Sequence, residues 1–175
     1  MKKWLLIILL LLLLFACKKS EKRVLETVEY VDLERFMGDW YVIAIIPNFI
    51  EKDAVNGIES YQLLPNDRVK IDYRFALKSP EGKKKHLQPK AWVYNKETNA
   101  EWRVQFIWPL KVPYLIIDLA RDYSYTVIGE PSRRLVWIMA RKPCLDDDIY
   151  AGILQSLAKK GYDINKIKKM PQVWD

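Results

Sequence analysis

The sequence predicts an all-β protein: an eight-stranded antiparallel up-and-down barrel with one C-terminal α-helix packed outside it. Three observations lead there. Eight short runs rich in Val, Ile, Tyr and Trp follow one another at strand spacing. Apolar and charged residues alternate within them with a period of two. One stretch of helical period stands near the end of the chain.

Before the first strand, Met1-Lys2-Lys3 is a short basic region and Trp4 to Ala16 an unbroken apolar run that ends at Cys17. This is the pattern of a secretory signal. At about 13 residues the run falls short of the ~20 that a membrane-spanning helix needs. Leu14-Phe15-Ala16-Cys17 resembles a bacterial lipobox, in which the cysteine thiol receives a diacylglyceryl group and becomes the first residue of a lipoprotein. The expected organisation is a signal peptide over 1–16, a lipidated Cys17 with a tether over 17–29, and one domain over 30–175. With residues 1–16 removed, 159 residues remain, and the loss of Lys2 and Lys3 lowers the formal charge from +7 to +5. Several acyl chains, each contributing ~0.8 kcal/mol per buried CH₂, would make such an anchor stable.

The strand runs are Trp40 to Ile46, Ile58 to Leu64, Val69 to Leu77, Lys90 to Tyr94, Glu101 to Ile107, Tyr114 to Leu119, Tyr125 to Gly129 and Leu135 to Ala140. Turn-forming residues separate them at Pro65-Asn66-Asp67, Ser79-Pro80-Glu81-Gly82, Asn95 to Asn99 and Glu130-Pro131-Ser132. From Val69 to Phe75 every odd position is apolar or aromatic and every even one charged, so one face turns inward. Trp102 to Phe106 repeats the pattern. Eight strands with aromatic inner faces enclose space for one small ligand. Asp146-Asp147-Asp148 opens the helical stretch, whose apolar stripe is Ile149, Ile153, Leu154, Leu157 and Ala158, and Gly161 follows its end. The aspartates are read as first-turn charges, because the spaced oxygen ligands of a calcium loop are absent.

Composition narrows the function. A single histidine, His86, placed in a loop after Lys83-Lys84-Lys85, leaves no His–His metal pair and no Ser–His–Asp constellation. Cys17 and Cys144 are the two cysteines; Cys144 is read as a half-buried packing residue. Lysine clusters without interleaved arginine and stacking aromatics make a poor nucleic-acid footprint. No catalytic residue, metal or cofactor is assigned. Asp118 falls on the inner parity of its strand, next to Tyr114 and Ile116, as an amine or headgroup contact or as an exposed strand-end residue.

Particular residues carry a family likeness. Gly38-Asp39-Trp40, preceded by Leu33 to Met37, resembles the G-x-W signature of lipocalins. Asp122 to Pro131 is similar to a third lipocalin motif as it occurs in apolipoprotein D, plant temperature-induced and bacterial lipocalins. Leu135 to Pro143 looks like the last-strand motif whose arginine, here Arg141, packs across the signature Trp40. Pro109 to Tyr114 and Gly161 to Lys166 extend the match. The resemblance implies a cup-shaped barrel that binds fatty acids, lysophospholipids or similar amphiphiles, with roles in membrane stress or lipid trafficking. It suggests Tyr61, Tyr73, Phe106, Trp137 and Met139 as cavity lining; parity adds Phe75 and Tyr114, with tyrosine hydroxyls free to meet a headgroup. Parity from Trp40 also turns Val42, Ala44 and Ile46 inward. Gly38, Trp40 and Arg141 are expected to be structural, at the barrel floor. Lacking the disulfides of apolipoprotein D, the stretch from Asn48 to Gly57 is expected to be more mobile. The implied partners are a lipid or other small hydrophobic ligand and a membrane, through the lipid anchor; a homodimer stays open. Lys18, in place of the aspartate that retains enterobacterial lipoproteins at the inner membrane, points to the outer membrane. The alternatives are an envelope scaffold for a protein partner and, more remotely, a lipid-modifying enzyme.

Overall fold

The computed structural model describes residues 24–174. Cys17 and the signal segment lie outside them. After a one-turn helix α1 (Leu33–Phe36), the strands are β1 (Gly38–Ile45), β2 (Ala54–Leu64), β3 (Arg68–Leu77), β4 (Lys84–Leu87), β5 (Lys90–Val93), β6 (Glu101–Ile107), β7 (Leu110–Leu119), β8 (Tyr125–Gly129) and β9 (Val136–Ala140). Helix α2 (Asp147–Lys159) and a two-residue strand β10 (Lys168–Lys169) complete the chain. All pairings are antiparallel, and β1 pairs both β2 and β9, so the sheet closes on itself.

The barrel has eight strand positions because β4 and β5 occupy one. Tyr73 pairs with Leu87 and Lys70 with Lys90, in a single continuous register along β3. Pro89 falls opposite Ile71 in that register and has no N–H to offer, which interrupts the ladder. Lys84 and Lys85, read from sequence as a loop, are therefore part of a strand, and His86 sits on it with Nε2 2.8 Å from Asp72. Among the described residues β4 has no second strand neighbour, so the wall is unpaired between it and the β6–β7 hairpin.

Two apolar clusters flank the sheet. Inside lie residues such as Trp40, Tyr61, Ile71, Tyr73, Trp102, Val104 and Met139. Outside, Ile153 and Leu157 of α2 press on Ile43, Ala44, Leu115, Ile117, Val127 and Ile138. Ile149 and Ala158, assigned from sequence to the helix's apolar stripe, are exposed, while Tyr150 is partly buried. The helix ends as expected: Gly161 takes φ +87°, Tyr162 N–H donates to Leu157 O and Gly161 N–H to Ala158 O. Cys144 is exposed, because it stands in the connection before α2 and not beneath it. The chain already packs on the barrel from Leu25, which is buried in the outer cluster, and Val28 N–H donates to Ile116 O.

Two irregularities overturn the simple parity. The β1–β9 register shifts between Val42 and Ala44, so Val42 and Ile45 face inward while Ala44 and Ile46 join the outer cluster. The β7–β8 register shifts between Ile116 and Asp118. Leu119 then takes the inner side, and Asp118 lies on the outer side within reach of the Lys160 charge. Each is a β-bulge, where one extra residue reverses the facing of everything beyond it.

Candidate ligand cavity

The floor is built first. Gly38 stands at φ +89°, a conformation in which glycine pays no Cβ penalty, and turns the chain from α1 into β1. That turn places Trp40 under the barrel, with its Nε1 donating to Phe36 O at 2.8 Å. The Arg141 guanidinium lies 3.8 Å from the Trp40 ring centroid and donates to the carbonyls of Asp39, Arg35 and Phe36. Phe36, Trp40, Tyr61 and Trp102 then form a connected set of rings with centroids 5.1–5.6 Å apart. This end is filled and closed.

Above it the barrel holds a cavity of ≈ 760 Å³. Of the seven residues expected to line it, Tyr73, Phe106, Tyr114 and Trp137 stand on its wall. Tyr61, Phe75 and Met139 are buried in the inner cluster but not on the wall. Tyr61 belongs to the floor stack, and Phe75 packs beside Tyr73 at 4.9 Å. Phe106 is 57% exposed, because the β6–β7 register shifts beyond Val104 and lifts it to the rim.

The tyrosine hydroxyls are engaged, contrary to expectation, and what engages them is a pair of buried carboxylates. Glu59 on β2 is 6% exposed and Glu51, on the β1–β2 connection, 3%. Tyr61 and Tyr114 hydroxyls bond each other, and Tyr114 OH reaches Glu59 Oε1 at 3.5 Å. Glu51 Oε1 accepts from Tyr73 OH and from Trp137 Nε1, each at 2.9 Å, and Oε2 accepts from Asn48. Burial pushes Glu59 up to about 8, with the negative charge of Glu51 adding to the rise. Burial also raises Glu51, against the lowering effect of its three hydrogen bonds. The stretch expected to be mobile is thus strapped: Asn48 Oδ1 caps the Ile50 and Glu51 N–H groups, Glu51 ties the turn to β3 and β9, and residues from Ala54 onward are strand.

Glu59 was within reach of sequence reasoning, since it shares inner parity with Tyr61. Glu51 was not, because nothing in a connecting segment marks which side chain folds inward. The rest of the wall is mainly apolar, including Ile50, Leu87, Pro89, Ile107 and Val112, with Asn48, Glu130, Ser132 and Arg134 as its further polar members, and it crosses the unpaired gap between β4 and the β6–β7 hairpin. At the tip of that hairpin Trp108 is 82% exposed, and Phe49 on the neighbouring rim 92%. Among the described residues, no three His, Cys, Asp or Glu side chains gather where they could hold a metal.

The lipocalin-like domain family matches residues 31–172. Temperature-induced lipocalin-1 of Arabidopsis thaliana is 30% identical over 162 residues, covering 87% of this chain and 86% of its own. Outer membrane lipoprotein Blc of Escherichia coli K12 is 25% identical over 152 residues, covering 86% and 85%. Among solved structures, insecticyanin from the tobacco hornworm Manduca sexta superposes with a TM-score of 0.64 at 18% identity, covering 83% of each chain.

Proposed function

The chain belongs to the lipocalin family, and from that premise we propose that it binds and carries single-chain amphiphiles, of the fatty-acid or lysophospholipid kind, in a cell envelope. The observation that carries this reading is the ≈ 760 Å³ cavity with a largely apolar wall, within the ~300–1,000 Å³ of small-molecule sites. Each CH₂ enclosed by that wall contributes ~0.8 kcal/mol. A scaffold for a protein partner needs no such space, and the relatives are lipocalins, a family of binding proteins more than of catalysts.

Acyl chains on Cys17 would hold the barrel at a membrane, in keeping with the outer-membrane lipoprotein among its relatives. The exposed Trp108, Leu110 and Phe49 give the cavity rim an apolar edge suited to a bilayer surface, with Lys111 beside them for anionic headgroups. We assign ligand contacts to Tyr73, Phe106, Tyr114 and Trp137 on the wall, and a supporting role to Tyr61, Phe75 and Met139 behind it.

Titration of the delipidated protein with lysophospholipid, followed by tryptophan fluorescence, is expected to saturate at one ligand per barrel. Trp137→Ala removes a ring from the wall and is expected to weaken binding about tenfold, the loss of one well-packed aromatic contact. Absence of saturation with lysophospholipid and with fatty acid alike would contradict the proposal.

A further inference from the structure

The two glutamates present the barrel with an unsolved electrostatic problem. Glu51 and Glu59 stand on the wall of one cavity, and the ion pairs formed among the described residues include neither. A buried carboxylate without a cation is costly, and an apolar side chain at position 59 would fill the barrel without that cost. The hydrogen bonds divide the two roles. Glu51 has an oxygen taken by Tyr73 and Trp137 and the other by Asn48, so it fastens the β1–β2 connection. Glu59 has the Tyr61 and Tyr114 hydroxyls as its partners, Tyr114 at 3.5 Å, and these two hydroxyls also bond each other, so a carboxyl group with four accepting positions keeps accepting capacity on the cavity wall.

The wall is also polarised along its length. Glu59, Tyr114, Trp137 and Glu51 are joined by hydrogen bonds and by the Tyr114–Trp137 ring contact, Leu87, Phe106, Ile107 and Val112 make the side toward the hairpin, and Glu130, Ser132 and Arg134 add polar groups elsewhere on the wall. We infer that the cavity selects amphiphiles whose head carries a positively charged ammonium group, seated inward against Glu59 within the field of Glu51, with the tail running out along the apolar side. This rests on the carrier reading above and narrows its ligand class. A free fatty acid would bring a third carboxylate to the pair; an ammonium head supplies the missing countercharge.

Seating the cation moves one proton. In the empty barrel at neutral pH Glu59 holds its proton; when the ammonium arrives the carboxyl ionises and the proton leaves to solvent. Affinity therefore rises with pH toward the value near 8. The groups around Glu59 do not reverse that sign. Tyr61 on its own strand, Tyr73 on β3 and Tyr114 on β7 are all held above the ordinary tyrosine value and stay neutral. Glu51, from the β1–β2 connection, is raised as well and acts in the same direction. Opposite Glu59, β1 offers Trp40, and β9 offers Trp137. Arg134 and Glu130 stand at the mouth, where Arg134 Nε donates to Ser132 and Glu130 is held below its usual value by its bonds to Ser132 and to the backbone N–H groups of Arg134 and Leu135.

The test compares heads on one tail. Delipidated protein is titrated calorimetrically, below micelle concentrations, with dodecyltrimethylammonium, dodecylamine, dodecanol and dodecanoate at pH 6 and pH 9, in buffers of differing ionisation enthalpy so that released protons are counted. Both ammonium ligands are expected to bind about tenfold tighter than dodecanol at pH 9, the worth of one charge-assisted contact. That preference narrows at pH 6, where binding is accompanied by proton release. Whichever ammonium ligand binds tighter identifies a choline-like or a primary-amine head. Glu59→Gln, which keeps the side chain's shape, is expected to abolish both the proton release and the tenfold preference of the ammonium ligands over dodecanol. Dodecanol or dodecanoate saturating as tightly as the ammonium ligands at pH 9 would overturn the inference and leave the carrier reading standing. Failure of all four to saturate would overturn both.

Discussion

Glu59→Gln is expected to make the protein more stable at alkaline pH, by up to about 5 kcal/mol, and to remove most of the fall in stability between pH 5 and pH 8. The sign follows from the direction of the shift. In the unfolded chain this carboxyl titrates near its ordinary 4.5; in the barrel it is pushed up to about 8. Below pH 4.5 both states hold the proton and the group costs nothing differential. As pH rises between the two values, the unfolded state releases its proton and the folded state does not, so unfolding is favoured by about 1.4 kcal/mol per pH unit. Above 8 the penalty is constant. Glutamine cannot ionise, so urea unfolding of the variant is expected to show a shallower pH profile, with the residual slope due to Glu51, which is raised in the same direction. A variant no more stable than the parent at pH 9 would show that the Glu59 charge is already compensated in the barrel.

Trp40→Ala carries the next largest effect. Its side chain is fully buried, anchored by Nε1 to Phe36 O, covered by Arg141 and in contact with the Phe36 ring at 5.1 Å. Truncation leaves a void beneath the barrel and strips Arg141 of its ring face. The expected loss is about 3–5 kcal/mol, seen as a drop in Tm of about 10 °C for a chain of this size. A loss below about 1 kcal/mol would mean that the floor closes without it.

The architecture was legible in the sequence because hydrophobic period is a direct consequence of burial. In β3 the alternation from Val69 to Phe75 maps onto four buried residues at 1–5% exposure, with Lys70, Asp72 and Arg74 turned outward. Where the barrel must bend, period fails. The bulges near Ile43 and Ile117 each reverse the facing of the residues beyond them, and so misplaced Ala44, Ile46 and Asp118. Charge also misled: Lys84 and Lys85 read as a loop, yet an edge strand with one wet face accommodates lysine readily. The cavity's chemistry was the least legible. Aromatic content pointed to a lined interior, but the two glutamates that occupy the tyrosine hydroxyls come from an inward parity position and from a fold of a connecting segment.

Native mass spectrometry of the protein purified from a bacterium without detergent shows directly whether the barrel is a container for an amphiphile. A population heavier than the bare chain by the mass of one lipid-like molecule is expected. That molecule should be released on unfolding and rebound with one-to-one stoichiometry after refolding. A single species at the mass of the bare chain, unchanged when amphiphiles of cationic, neutral and anionic head are added, would contradict the carrier reading.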